Sequence, residues 1–176
     1  MMFRALRLAL FLAAVGLFTT QAALLRAGES DLDALETALK HVTVTLQDEL
    51  KANEQEGKAT SGKFEIEHDA LQLSVYTLDG DDVLEVMADP KTRAIAKTEK
   101  IADADDLRDA TAQKAAMEKA TVSLVAVADA AASANPGLRV VSIYPQLRDG
   151  HPVAEVTLLA IMEQGAYFKM VTEKLD

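Results

Sequence analysis

The chain contains no cysteine and no tryptophan, and aromatic residues make up only 5% of it. The lack of cysteine excludes disulfide bonds, thiolate metal sites and cysteine-based catalysis. Positive charge is also in short supply, since 18 lysine and arginine residues face 28 aspartate and glutamate residues, giving a formal net charge of −10. Such a chain offers no basic surface to neutralise phosphate groups, so we expect no nucleic-acid partner.

The 176 residues are enough for one domain or for two small ones. Hydrophobic residues account for 49% of the sequence and charged residues for 26%. A chain of this length buries roughly 68–70% of its unfolded surface, so it needs no metal ion or disulfide to fold. The composition therefore favours an acidic α+β protein without a cofactor.

The N-terminal segment has the pattern of an export signal. Arg4 and Arg7 form a short basic region, and an uninterrupted apolar run follows them. Thr20-Gln21-Ala22 then supplies small residues at the −3 and −1 positions of a cleavage site. We expect residues 1–22 to be a cleaved signal peptide, which places the mature protein in the periplasm or outside the cell.

An uncleaved anchor over residues 1–25 is the alternative. Residues 8–25 reach the short end of what spans a bilayer. With the arginines inside, such an anchor would also leave the rest of the chain outside the cytoplasm. It would be the only contact with the membrane, because no cysteine follows the apolar run to carry a lipid.

A helix is predicted from Ser30, which can cap it, because apolar residues recur at intervals of three and four. These residues are Leu32, Leu35, Leu39, Val42, Leu46 and Leu50. Poor helix propensity in residues 42–45 predicts a kink, and residues 51–62 are predicted to form a polar loop.

Strand patterns follow this loop. Alternating apolar and polar residues predict strands in residues 63–67, 71–76, 83–88 and 93–98. Turns are predicted at Asp79–Asp82 and Asp89–Thr92. Each strand has one apolar face, so we expect an antiparallel sheet that is covered on one face and open to solvent on the other.

The same order recurs in the second half. Residues 103–119 are predicted to form a connecting helix, and Ser123 caps another that ends at Asn135-Pro136-Gly137. Strands are then predicted at Leu138–Tyr144, Val153–Met162 and Ala166–Leu175, with Pro145–Pro152 as a turn.

The predicted fold class is therefore α+β, with two tandem helix-plus-antiparallel-sheet (α-β-β-β) units after an N-terminal hydrophobic helix. The units span residues 30–101 and 122–176, and residues 102–121 connect them.

The second unit resembles the PepSY domain family. It runs from an alanine-rich helix through Asn135-Pro136-Gly137 to the valine-rich segment Leu138–Ile143, followed by an Asp149-Gly150 turn and two strands. In the first unit, residues 85–95 are similar to the closing "V-D-x-x-T-G-x-V" segment of that family, with Arg93 in place of the usual glycine. The resemblance implies a non-enzymatic extracytoplasmic module that acts on a protein partner, such as a peptidase that it restrains.

Few residues suggest chemistry. The histidines, His41, His68 and His151, stand apart in the sequence without ligand spacing. The densest acidic cluster is Asp79, Asp81, Asp82 and Glu85, a weak candidate for calcium that lacks a twelve-residue calcium-loop pattern. No glycine-flanked serine supplies a nucleophile, so we expect no enzyme, no resident metal and no catalytic residue.

Three tyrosines are the candidate partner-binding residues, because tyrosine combines a large apolar body with a polar tip. They are Tyr76, Tyr144 and Tyr167. The hypothesis is an exported binding or inhibitory module. The alternatives are a membrane-anchored accessory subunit of an envelope complex and a weak calcium or small-ligand carrier; the oligomeric state stays open.

Overall fold

The computed structural model describes residues 32–53, 58–80, 82–162 and 166–176. The predicted signal peptide or anchor lies outside these residues. Among the described residues, no helix is both long and apolar enough to cross a membrane. The helices are α1 (32–39), α2 (Leu46–Asn53), α3 (Ala104–Lys119) and α4 (Leu124–Ala134). The strands are β1 (Lys58–Glu67), β2 (Ala70–Asp79), β3 (Asp82–Ala88), β4 (Ile95–Lys100), β5 (Leu138–Arg148), β6 (His151–Ala160) and β7 (Tyr167–Lys174).

All seven described strands form one antiparallel sheet in the order β4-β3-β2-β1-β5-β6-β7. This confirms the predicted α+β class. Residues 58–100 supply one side of the sheet and residues 138–174 the other. The two sides meet where β1 pairs with β5, with Gly62 opposite Ile143 and Lys63 opposite Ser142.

The first predicted helix is broken at the expected place. Residues 42–45 are not helical, and α2 starts again after Thr45. The Thr45 hydroxyl accepts a 3.1 Å hydrogen bond from the Asp48 backbone N–H, and the Asp48 carboxylate accepts one from the Thr45 N–H. This reciprocal cap explains why the helix restarts there rather than fraying.

The loop predicted over residues 51–62 is wrong at both ends. Helix α2 continues to Asn53 and β1 begins at Lys58. Ala59, Thr60 and Ser61 are buried because β1 becomes a central strand of the sheet. Their small, mostly polar side chains give no strand pattern in the sequence, so only the tertiary pairing reveals them.

The β5–β6 connection is tighter than predicted. Pro145 lies within β5 opposite Ala154, and only Asp149 and Gly150 form the turn. Both turn residues have positive φ, 53° and 82°, as a two-residue hairpin turn requires. The Asp-Gly pair therefore sets the register of this hairpin.

One main core lies on the sheet face that contains Gly62. A Cβ on Gly62 would lie 3.1 Å from Leu46 Cδ1 and 3.3 Å from Leu50 Cδ2, so α2 packs directly on β1 at this residue. Helix α4 packs against α2 and against β5 and β6. The fully buried side chains come from both halves of the chain: Leu39, Leu46, Leu73 and Val75 from the first, and Ile143, Val156 and Leu158 from the second.

Helix α3 covers part of the opposite face. Ser61 lies next to Gly62 on β1 and so points to the other side of the sheet, where its hydroxyl donates a 2.7 Å hydrogen bond to Gln113 Oε1 of α3. Ala110 of α3 also packs with Val83 and Ile101 in a small second core. The expectation of a second face open to solvent is therefore wrong under α3.

The predicted cap at Ser123 is confirmed, since its hydroxyl accepts a hydrogen bond from the Ala126 N–H of α4, whereas the predicted cap at Ser30 lies outside the described residues. Helix α3 is capped by Asp103, whose carboxylate accepts hydrogen bonds from the Asp105 and Asp106 N–H groups. Between the helices, Thr121 and Val122 donate backbone hydrogen bonds to the carbonyl of Leu175. This link carries the chain from one face of the sheet to the other.

Candidate functional site

Polar side chains form a line across the face of the sheet that α3 covers. Tyr76 lies opposite both Glu85 on β3 and Ser61 on β1, and Tyr144 lies opposite Glu155 on β6. Because Gly62 faces Ile143, Tyr144 is one step along β5 on the Ser61 side. We call Glu85, Tyr76, Ser61, Tyr144 and Glu155 the cross-strand row.

In the first half of the row, Ser61 and Glu85 are buried and Tyr76 is partly buried. The Tyr76 hydroxyl donates a 3.1 Å hydrogen bond to Glu85 Oε1, and Glu85 is only 6% exposed. The Lys63 ammonium lies 5.9 Å from the centre of the Tyr76 ring and 2.7 Å from Glu65 Oε2. Burial, followed by the nearby carboxylates, raises the pKa of the Tyr76 phenol well above its ordinary value.

The second half of the row repeats this pairing. The Tyr144 hydroxyl donates to Glu155 Oε2, while Gln146 and Arg148 donate to Oε1 at 2.7 and 2.8 Å. Burial and the hydrogen bond to Glu155 raise the pKa of Tyr144. Glu155 thus accepts from three donors, which fixes its carboxylate in place.

Helix α3 brings a further carboxylate to the first half. Asp106 is 9% exposed, and burial raises its pKa, with Asp103 adding to the effect and Lys63 opposing it. Burial likewise raises the pKa of Glu65, again opposed by Lys63. The Lys63 ammonium therefore opposes two buried carboxylates, Glu65 and Asp106, and both take up protons more readily than exposed acids do.

No nucleophile with a neighbouring general base stands out in the row. Its hydroxyl groups donate to carboxylate or amide oxygens within the protein. Among the described residues, no group of three or more histidines and carboxylates is arranged to hold a metal ion. The arrangement can take up a proton and hold α3 in position.

The acidic calcium candidate does not converge in the described residues. Asp79 lies opposite Asp82, and the Lys100 ammonium is 2.6 Å from Asp82 Oδ1. Glu85 is three residues along β3 from Asp82 and therefore points to the other face, toward Tyr76. Asp81 lies outside the described residues.

The histidines occupy separate sites. His41 is exposed after α1, and His68 lies in the β1–β2 turn, 3.6 Å from its neighbour Glu67. His151 starts β6, and its Nδ1 is 2.9 Å from Asp176 Oδ2. This contact lowers the pKa of the exposed Asp176 carboxyl.

Tyr167 belongs to another surface. It lies opposite Ala160 on β7, on the sheet face away from Tyr76 and Tyr144, and is 52% exposed. It joins four other exposed apolar side chains around the β6–β7 connection. We call these five residues the apolar edge: Ile161, Met162, Tyr167, Phe168 and Met170.

Sequence reasoning missed a short repeat that identifies the cross-strand row. Ser74-Val75-Tyr76 on β2 recurs as Ser142-Ile143-Tyr144 on β5, and each is followed by an Asp-Gly turn. A glutamate and a valine then recur on the next strand, Glu85-Val86 and Glu155-Val156. The few residues that are identical between the two halves of the sequence include both tyrosine–glutamate pairs.

No family model and no curated protein matches the chain. Among solved structures, it is similar to one described as a "putative lipoprotein" from Clostridium difficile 630, with 15% sequence identity and a TM-score of 0.35. The match covers 75% of this chain and 95% of that one. At this TM-score neither a fold family nor an activity follows from the match.

Proposed function

We propose that the protein is an exported, non-catalytic binding module that holds a protein partner through the apolar edge. The observation that carries this proposal is the exposure of the edge: Tyr167, Phe168 and Met170 on β7 are 52%, 44% and 57% exposed. Neighbouring exposed apolar side chains on a soluble protein are typical of an interaction surface. Strand β7 also ends the sheet, so its outer backbone groups are available for pairing.

The opposite edge of the sheet is a useful contrast. Strand β4 has six residues, its pairing with β3 contains a register shift, and Lys100 pairs with Asp82 beside it. Short length and irregular pairing are features that protect an edge from other strands, and β7 has neither of them. We therefore assign partner binding to β7 rather than to β4.

The two-unit PepSY-like architecture is part of this proposal. Arg93, at the position of the usual glycine in the family pattern, has a φ of 63°, a conformation that favours glycine. The Asp89 carboxylate accepts hydrogen bonds from Lys91 and Thr92 in the same turn. The turn geometry supports the resemblance, and a peptidase is the partner that the resemblance implies.

Capture from an envelope extract tests the proposal. We expect Phe168→Ser with Met170→Ser to abolish capture of a partner that the unmodified protein retains. The matched control is Ile95→Ser on β4, since Ile95 is 55% exposed and lies on the other edge. Equal capture by all three proteins, or no saturable partner, would refute the assignment.

Two further measurements test the finer parts. N-terminal sequencing of the protein from cells should give a start at Ala23, while an intact Met1 would favour the anchored alternative. The purified protein should lower the activity of a co-exported peptidase in a dose-dependent way. If the protein captures a peptidase without lowering its activity, the module binds its partner but does not inhibit it.

A further inference from the structure

We infer that β7 pairs with β7 of a second copy of this chain, so that two sheets join into one across a two-fold axis at Val171. The inference rests on the proposed function, because it names the occupant of the apolar edge when no other partner is bound. A foreign partner would then have to displace the second copy.

The backbone of β7 is suited to strand pairing. It pairs with β6 over all eight of its residues, Tyr167–Lys174, with no register shift. A regular, unprotected edge of this length is a template for another strand. Its outer side chains are Phe168 and Met170 on one face and Tyr167 on the other.

Symmetry restricts the ways in which two copies can pair. In an antiparallel pair the opposed residues share a sheet face, so one residue of β7 must lie opposite itself at the two-fold axis. Four residues near the middle of the strand are candidates: Lys169, Met170, Val171 and Thr172. An axis at Lys169 would place two ammonium groups together, which is destabilising.

The axis at Val171 gives the best complementarity. It places Lys169 of each copy opposite Glu173 of the other, which makes two opposite-charge pairs across the interface. On the second face it places Phe168 opposite Lys174, a cation–π arrangement, and Met170 opposite the methyl-bearing Thr172. An axis at Met170 would instead place Lys169 opposite Val171, and an axis at Thr172 would place it opposite Leu175, so neither gives it a charge partner.

The charges explain why two acidic chains can meet at this edge. The whole chain carries a net charge of −10, yet β7 carries two lysines and one glutamate. Arg148 lies beside β7, 3.4 Å from the Thr172 hydroxyl, but its charge is offset by its ion pair with Glu155 and does not change this balance. The local balance is positive, so the general repulsion between copies is weakest here.

A charge exchange tests the register. We expect Lys169→Glu alone and Glu173→Lys alone each to weaken dimerisation roughly ten-fold, because two favourable pairs become two like-charge pairs. The double variant recreates both pairs with the charges exchanged and should return to within about three-fold of the original dissociation constant. Sedimentation across a concentration series gives these constants, and circular dichroism checks that each variant is folded.

Single cysteines give an independent measurement, since the chain has no cysteine of its own. Val171→Cys should form a disulfide-linked dimer on mild oxidation. Lys169→Cys should not, because the two introduced thiols would be separated by roughly 13 Å along the strands. Both variants are tested on the protein as cells export it.

A protein that stays monomeric at every concentration would overturn the inference. So would a dimer in which Lys169→Cys crosslinks and Val171→Cys does not, or a double charge variant no better than the single ones. None of these results affects capture of a foreign partner by the apolar edge. Failure of that capture would refute the proposed function and leave the dimer standing.

Discussion

Tyr76 and Glu85 lie directly opposite each other on β2 and β3, joined by a 3.1 Å hydrogen bond from the phenol to the carboxylate. Tyr144 and Glu155 stand in the same relationship on β5 and β6, on the other side of β1. The sheet thus carries one tyrosine–glutamate pair on each side of its central strand, β1.

Removing one phenol hydroxyl should destabilise the fold. Tyr76→Phe leaves the buried Glu85 carboxylate without this donor, at a cost of about 1–3 kcal/mol in the free energy of unfolding. Urea denaturation at neutral pH measures this change. Tyr167→Phe is the control because Tyr167 is 52% exposed and should show no change. Equal stability of all three proteins would contradict the role given to the pair.

Stability should rise as the pH falls from neutral toward about 4.5. Burial raises the pKa of Glu65 and Asp106 above their ordinary values of 4.5 and 3.8, so the folded state binds more protons in that window than the unfolded state does. The stabilisation is complete below the ordinary values and is lost as pH rises through the folded ones. The lowered pKa of Asp48, held down by its hydrogen bond to Thr45, opposes this only below its ordinary value of 3.8.

Denaturation at several pH values checks this dependence. Asp106→Asn should flatten the slope, because it removes one of the buried carboxylates. Asp105→Asn removes the same charge from a side chain that is 77% exposed and should leave the slope nearly unchanged. If the unmodified protein and both variants all lose stability on acidification, the buried carboxylates do not control the pH dependence of stability.

A side chain at Gly62 should be poorly tolerated. Its Cβ would meet Leu46 and Leu50 at 3.1 and 3.3 Å, and the larger valine extends further into α2. We expect Gly62→Val to lower the unfolding free energy by about 1–3 kcal/mol. Adding Leu46→Ala should cost less in the Gly62→Val background than alone, since it makes room. Additive effects in this double-mutant cycle would contradict the direct contact.

Arg139 should hold the segment between α1 and α2. Its guanidinium donates to the carbonyl of Val42 at 2.6 Å and to that of Val44, and it lies 5.0 Å from the Phe64 ring centre. Arg139→Met should speed hydrogen exchange in residues 40–45 and cost about 2 kcal/mol of stability. Arg148→Met, at an arginine whose side chain is 50% exposed, should leave this segment protected.

Arg93→Gly should stabilise the protein. At its φ of 63° a non-glycine side chain is strained, so glycine should gain about 0.5–1 kcal/mol even though it loosens the unfolded chain. The gain is reduced by loss of the 3.4 Å hydrogen bond from Arg93 to the Asp48 carbonyl. Thermal denaturation measures the result, and lower stability would show that the contact outweighs the strain.

Local chemistry was readable from the sequence, whereas the pairing of distant segments was not. Ser123 and the Asp149-Gly150 turn act on residues within a few positions of themselves, so their roles follow from short patterns. The first residues of β1 lack apolar alternation, and they are strand because β2 and β5 lie on either side.

The candidate site shows the same division. The placement of α3 over Ser61 depends on Gln113, a residue far away in the sequence. The acidic, alanine-rich sequence of α3 has no apolar stripe from which its packing face could be predicted. Tyr76 and Tyr144 resembled surface residues in the sequence, but α3 and the neighbouring carboxylates enclose Tyr76. Phe168 and Met170 gave no signal, since a partly exposed strand has the same alternation as a buried one.

The position of β1 has a consequence for how the protein is made. Its second neighbour, β5, is synthesised only after β2, β3, β4, α3 and α4. In a nascent chain that has formed only its first hairpins, β1 is therefore an exposed sheet edge. The backbone groups on its β5 side have no hydrogen-bond partner yet. Until the last quarter of the polypeptide arrives, that edge is open to pairing with strands of other chains, which makes the incomplete chain prone to aggregation.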